Sequence, residues 1–161
     1  MKMGSVLSYS GLTTKIRAMQ SKLVTEEQLS EIIQLPNVPQ VVAYLKRTPE
    51  YSSVWSSLDE NALHRGDIEK LLKKSIFRNF SRVYHFANPK QRRFLELYSK
   101  RYEIRVLKEL MTNLFDHRNT NPLDLSPYRD FFRLHSKLDL DRLAACSTME
   151  EFINALKGNE F

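Results

Sequence analysis

The chain has 161 residues, of which 42% are hydrophobic, and this content supports a folded domain with a core rather than a disordered chain. Its single cysteine, Cys146, excludes an internal disulfide and a multi-cysteine metal site, and it favours a reducing, cytosolic setting. No apolar run approaches the roughly 20 residues that cross a bilayer, and the N-terminus lacks a signal-peptide core. We therefore expect any membrane contact to be peripheral or indirect, through a partner protein.

Only four glycines occur in the whole chain, and apolar residues recur at spacings of three and four, so we predict an all-α fold without strands.

The first third of the chain is predicted to form three helices. The first helix covers residues 7–23, with one face formed by Leu12, Ile16, Met19 and Leu23. Thr25 begins a second helix through a capping-box pattern, and that helix ends before Pro36. Asn37 caps a short third helix that ends at Thr48-Pro49.

Two longer helices are predicted in the middle of the chain. The first covers residues 67–85, and its buried stripe is predicted to be Ile68, Leu72, Ile76, Phe80 and Val83. Asn88-Pro89 caps the second, which reaches Leu114 and is therefore roughly 38 Å long. We expect the two to form a long antiparallel pair that suits a strut better than a pocket. A polar loop over residues 116–127 follows, and a further helix begins at Tyr128, Phe131, Phe132 and His135.

The C-terminal segment repeats an earlier segment at a constant offset of 111 residues. Six apolar positions of the first copy, Ile32, Leu35, Val38, Val41, Val42 and Leu45, match Leu143, Cys146, Met149, Phe152, Ile153 and Leu156. The caps match as well, because Thr148, which has a capping-box partner in Glu151, lies opposite Asn37. After a gap of one residue, Glu50-Tyr51 matches Glu160-Phe161.

A period of this size is typical of repeated domains. We therefore predict a first helical unit over residues 1–140 and the start of a second, incomplete unit over residues 141–161, and we expect the chain to be a fragment. A chance match between two amphipathic helices is the alternative.

No catalytic, cofactor-binding or metal-binding residue is predicted. The four histidines, His64, His85, His117 and His135, are too far apart in sequence to form a His-x-x-x-His pair, and the isolated glycines exclude a phosphate-binding loop. The acidic pairs Glu26-Glu27 and Glu150-Glu151 fall in first helical turns, where they complement the helix dipole. Cys146 lies opposite Leu35 in the repeat, so we expect it to pack in the core rather than to react.

The positive charge is concentrated in one region. Residues 65–109 hold thirteen basic and five acidic side chains, whereas the rest of the chain is slightly acidic. We take Lys73, Lys74 and Arg78 as a candidate interaction surface, and a solvated helix face is the alternative. In the same region Phe94, Tyr98 and Tyr102 recur every fourth residue, which predicts a buried or interfacial stripe, with base stacking as the alternative.

Five stretches of the sequence together resemble the V-type ATPase central-stalk family, whose members are named the C subunit in bacteria and archaea and the d subunit in eukaryotes. They are Tyr9-Ser10-Gly11 with residues 15–23, then residues 45–51, 67–72 and 102–108, and the recurrence over residues 143–161. Each stretch alone is weak evidence for the family, but their order and spacing match it, and together they span nearly the whole chain. One departure is Val106, where the family favours asparagine. The resemblance implies an elongated, funnel-shaped fold of three helical units related by a pseudo-threefold axis.

The resemblance implies a non-catalytic rotor subunit, without cofactor, small-molecule substrate or nucleic acid. Such a subunit couples the central shaft to the membrane proteolipid ring, on the cytoplasmic face, during proton or sodium transport. The basic region would then face an acidic surface of the shaft or the ring. Two alternative functions remain. One is a basic helical module that binds nucleic acid through phosphate contacts, and the other is an enzyme of unrecognised helical type.

Overall fold

The computed structural model describes residues 3–55, 59, 61–116 and 124–158, and every regular element in them is an α-helix. The helices are α1 (Met3–Gln20), α2 (Glu26–Ile33), α3 (Val38–Arg47), α4 (Ser52–Trp55), α5 (Arg65–Phe86), α6 (Pro89–Phe115), α7 (Arg129–His135), α8 (Leu140–Ala144) and α9 (Met149–Leu156). The described residues contain no strand, so the all-α prediction is confirmed.

The chain divides into two compact units, Met1–Phe86 and Ala87–Phe161. This division follows the contacts within the chain. The boundary predicted between residues 140 and 141 is defined by the start of a sequence repeat rather than by contacts. That boundary stays a prediction.

Side-chain caps begin the helices where the sequence predicts them. Thr25 Oγ1 accepts a hydrogen bond from the Gln28 backbone N–H at 3.2 Å, and the Gln28 side chain accepts one from the Thr25 N–H at 3.0 Å. Asn37 caps α3 by accepting from the Gln40 N–H at 3.1 Å, and Asn88 begins α6 with a complete capping box. These bonds satisfy backbone donors that would otherwise lack partners in the first helical turn.

Two predicted helix faces need correction. Helix α1 ends at Gln20, so Leu23 lies in the turn beyond it and is 39% exposed. In α5, Ile68 is buried as predicted, but Ile76 is 52% exposed. Each step of four residues rotates about 40° around a helix of 3.6 residues per turn, so Ile76 lies about 80° from Ile68 and leaves the buried face. Ser75, which is seven residues after Ile68, is buried on the same side, and Phe77 is buried on the opposite side of the helix.

The core of the first unit lies where α3, α4 and α5 meet. Val42 and Trp55 are fully buried, and Leu45 and Ile68 pack with them. The Tyr51 ring lies 5.9 Å from the Trp55 ring. A helix of four residues is not stable alone, so the burial of Trp55 is what holds α4 in place.

The core of the second unit forms on the inner face of α6, which contacts α7 and α9. Its buried apolar residues include Val106, Leu107, Leu110, Phe131, Phe132, Leu140, Leu143 and Phe152. The Phe131 ring packs edge-on against Tyr102 at 5.6 Å and against Phe132 at 6.0 Å. The long helix α6 therefore supports α7 and α9 directly, and α8 packs against α9.

The second copy of the repeat forms α9, with two differences from the prediction. Thr148 accepts from the Glu151 backbone N–H at 3.2 Å, but the Glu151 carboxylate accepts from Ser147 at 2.9 Å instead of from Thr148, so the capping box is incomplete. Cys146 is only half-buried, and its thiol donates to the Arg142 carbonyl at 3.4 Å. Residues 117–123 of the predicted loop and the Glu160-Phe161 match lie outside the described residues.

Candidate interaction surface

The three candidate residues, Lys73, Lys74 and Arg78, all lie on α5, but the structure separates them into two kinds. Lys73 and Lys74 are exposed. The Arg78 side chain is 32% exposed, and its guanidinium contacts Glu50. Lys73 and Lys74 therefore remain available to a partner, whereas Arg78 has a structural contact.

Glu50 is the buried centre of a charge cluster, whose two arginine side chains are each about one-third exposed. The Glu50 side chain is 2% exposed, and Arg78 Nη2 donates to Glu50 Oε1 at 2.9 Å and to the Glu50 backbone carbonyl at 2.8 Å. Arg82 Nη1 lies 3.3 Å from both carboxylate oxygens. A buried carboxylate needs such partners, because removing it from water without them costs several kcal/mol.

The helix period explains how two arginines reach one carboxylate. Arg78 and Arg82 are four residues apart, so they lie on the same face of α5, and Glu50 lies in the turn between α3 and α4. The cluster therefore ties this turn to α5. Sequence reasoning missed it because Glu50 and Arg78 are 28 residues apart. The available signal was the recurrence of Glu50-Tyr51 as Glu160-Phe161, which marked the carboxylate but not its partners.

The aromatic stripe of α6 is not buried within its unit. Phe94 is 66% exposed and Tyr98 is 42% exposed, so the buried alternative is wrong for both. Tyr102 is half-buried beside Phe131, and this burial raises the pKa of its hydroxyl above the ordinary value. The Arg101 guanidinium lies 5.0 Å from the Tyr98 ring centroid and donates to the Tyr98 hydroxyl at 2.8 Å. The interfacial and base-stacking alternatives stay predictions.

A cleft of about 420 Å³ is lined by residues of α7 and α8 and the segment between them. Its carboxylates have structural partners. Asp130 pairs with Arg133 at 3.2 Å, Asp141 pairs with Arg129 at 3.0 Å, and Asp139 caps α8. These groups hold short helices together, and the arrangement does not resemble an acid–base pair with different environments.

Metal sites and membrane spans are both absent from the part of the chain that the structure describes. It contains no group of three or more His, Cys, Asp or Glu residues that could hold a metal ion. Its helices are all too short or too polar to span a membrane.

Comparison with known proteins gives one family. The family model for the ATP synthase (C/AC39) subunit matches residues 12–161. The chain is similar to the C subunit of the A-type ATP synthase of Methanothermobacter thermautotrophicus, with 24% identity over 151 residues, which are 91% of this chain and 35% of the relative. No solved structure matches the chain.

Two other relatives carry the same name. The protein of Thermococcus kodakarensis is 22% identical over 157 residues, which are 95% of this chain and 40% of the relative. The protein of Methanobrevibacter smithii is 28% identical over 107 residues, which are 66% of this chain and 26% of the relative. The chain thus spans about a third of the length of the curated relatives that it matches.

Proposed function

We propose a function for this chain, which belongs to the ATP synthase (C/AC39) subunit family. The chain acts as part of an A/V-type ATP synthase, as a non-catalytic rotor subunit on the cytoplasmic face of the membrane. There it couples the central shaft to the proteolipid ring during proton or sodium transport. The observation that carries this proposal is the match of the family model over residues 12–161.

The helical architecture supports a mechanical role. Helix α6 has 27 residues and is therefore about 40 Å long, and the short helices α7 and α9 pack on its inner face. Close-packed side chains deform little, which a part that transmits torque requires. In the first unit the cluster around buried Glu50 adds charged hydrogen bonds between α5 and the turn after α3.

Within this function, Lys73, Lys74 and Arg78 are proposed to face an acidic surface of the shaft or the ring. Reversal of charge at Arg78 would also place a carboxylate against buried Glu50, so it would change folding and binding together. Lys73 and Lys74 give the cleaner test, because both are exposed.

The test is purification of the tagged, natural full-length protein from membranes, with identification of the proteins that remain bound. Recovery of shaft and proteolipid-ring subunits is expected, and Lys73→Glu with Lys74→Glu should reduce their recovery at moderate salt. The control is Lys22→Glu with Lys157→Glu, which makes the same change in net charge at two other exposed lysines. Recovery of nucleic acid without any ATP synthase subunit would contradict the proposal and support a basic nucleic-acid-binding module.

A further inference from the structure

The outer face of α6 carries large apolar side chains that remain exposed. Their exposed fractions range from 40% to 78%, and the residues are Phe94, Leu97, Ile104, Met111 and Phe115. Single exposed apolar residues are common on protein surfaces, but five that recur on one face of a helix over three heptads mark an interaction site. We call these residues, with Arg101 and Lys108, the α6 outer face.

These seven positions form a heptad pattern. Phe94, Arg101, Lys108 and Phe115 are spaced seven apart, and Leu97, Ile104 and Met111 form a second series three residues after the first. This spacing is that of the a and d positions in a coiled coil, whose side chains pack against a second helix. The buried face of α6 is a separate surface, formed by Gln91, Ser99, Glu103, Val106, Leu107 and Leu110. The exposed heptad pattern therefore predicts a helical partner.

The charge of the α6 outer face restricts that partner. Arg101 and Lys108 occupy positions in the heptad, and exposed Arg93 and Arg105 flank it. The three acidic residues of α6 are Glu96, Glu103 and Glu109, and each lies about 100° or more around the helix from Lys108. A second copy of α6 would bring like charges together at the seam, which is unfavourable. An acidic helix would instead neutralise these cations.

The side chains of this face also have the composition of an interface centre. Arg101 stacks on the rings of Tyr98 and Tyr102, with 5.0 Å and 5.4 Å between the guanidinium carbon and the ring centroids. The stacking and the 2.8 Å hydrogen bond to the Tyr98 hydroxyl hold the guanidinium in place before any partner arrives. Arginine, tyrosine and phenylalanine are enriched at such centres.

We infer that the α6 outer face binds an acidic amphipathic helix of another protein chain. The apolar side of that helix packs on Leu97, Ile104 and Met111, and its carboxylates face Arg101 and Lys108. This surface is different from the one formed by Lys73 and Lys74, and the inference holds whether or not the partner is an ATP synthase subunit.

The test is photo-crosslinking in the natural full-length protein, purified with its partners from membranes. p-Benzoylphenylalanine in place of Leu97 should crosslink to a helical segment of another chain that is rich in Asp and Glu, as identified by mass spectrometry. The same group in place of Glu96, which is exposed on the same helix but off this face, is the matched control and should not reach that segment.

Charge variants then separate the contribution of charge pairing to binding from that of apolar packing. Arg101→Glu with Lys108→Glu should lower the crosslink yield about tenfold, whereas Arg101→Lys with Lys108→Arg should keep most of it. A crosslink within the same chain, a crosslink to lipid, no crosslink, or a yield that charge reversal leaves unchanged would each overturn the inference. If no ATP synthase subunit is recovered but the acidic helix is crosslinked, the proposed function fails and this inference stands.

Discussion

The two copies of the repeated helix, α3 and α9, share a sequence pattern but not an environment. Val42 of α3 is fully buried, whereas its counterpart Ile153 of α9 is 51% exposed. In the first copy, Trp55 from α4 and Ile68 from α5 pack around Val42. In the second, α9 contacts α6 and α8 through a face that buries Phe152. An amphipathic pattern thus specifies which side chains favour burial, and the neighbouring elements decide which are buried.

The largest effect is expected from the aromatic residue that completes the core of the first copy. Trp55→Ala should lower the free energy of unfolding by about 3–5 kcal/mol, because it empties a fully buried site. Urea denaturation of the purified chain measures this loss. A loss below about 1 kcal/mol would mean that α3 and α4 pack otherwise, since exposed sites typically change stability by less than that.

The charge cluster of the first copy should give the next largest effect. Replacing both Arg78 and Arg82 with alanine should cost about 3 kcal/mol, because Glu50 would stay buried without a partner. Thermal or urea denaturation measures the change. The control is Arg65→Ala, whose pair with Glu69 is exposed and should contribute less than about 0.5 kcal/mol. Equal losses in the two experiments would remove the structural role assigned to Glu50.

A matched pair of truncations tests whether α3 and α9 differ in the burial of equivalent side chains. Val42→Ala should cost about 2 kcal/mol, since it leaves a cavity in a closed core. Ile153→Ala should cost less than about 0.5 kcal/mol, because its side chain is half in solvent and gains little from burial. Both are measured by urea denaturation under the same conditions. If the loss at Ile153 equalled or exceeded the loss at Val42, the two environments would not differ as described.

The helix caps should have equal effects in the two copies, and each effect should be smaller than that of Val42→Ala. Asn37→Ala and Thr148→Ala each remove one hydrogen bond to the first turn of a short helix, so each should cost about 1 kcal/mol. Replacing either residue with serine, another good N-cap, should restore most of the loss. A clear difference between the two alanine variants would show that capping, like burial, depends on the surroundings of the copy.

Much of the fold could be predicted from the sequence because its signals are local. The caps at Thr25, Asn37 and Asn88 involve groups within three residues, and the structure places each helix start there. The exposure of Ile76 could not be predicted from a run of four-residue steps, because that run drifts around the helix. The spacing of apolar residues within a helix also does not identify which other helices pack against it, so it could not predict that Val42 is covered and Ile153 is exposed.

The candidate site was predictable only in part, for the same reason. The excess of basic residues is a property of composition, so Lys73 and Lys74 could be selected as exposed cations. The role of Arg78 depends on Glu50, which is distant in sequence and close in space. The exposure of Phe94 and Tyr98 likewise required the structure, since their four-residue spacing is common to buried and interfacial stripes.

The proposed coupling of ATP chemistry to ion transport by the full-length protein can be measured by removing the protein. ATP hydrolysis and ATP-driven ion uptake are measured in membrane vesicles from cells that lack the natural gene and from cells in which it has been restored. The proposed function predicts that ion uptake is lost without the protein, while hydrolysis by the catalytic subunits persists, and that uptake returns with the gene. Ion uptake that stays unchanged in the absence of the protein would contradict the coupling role.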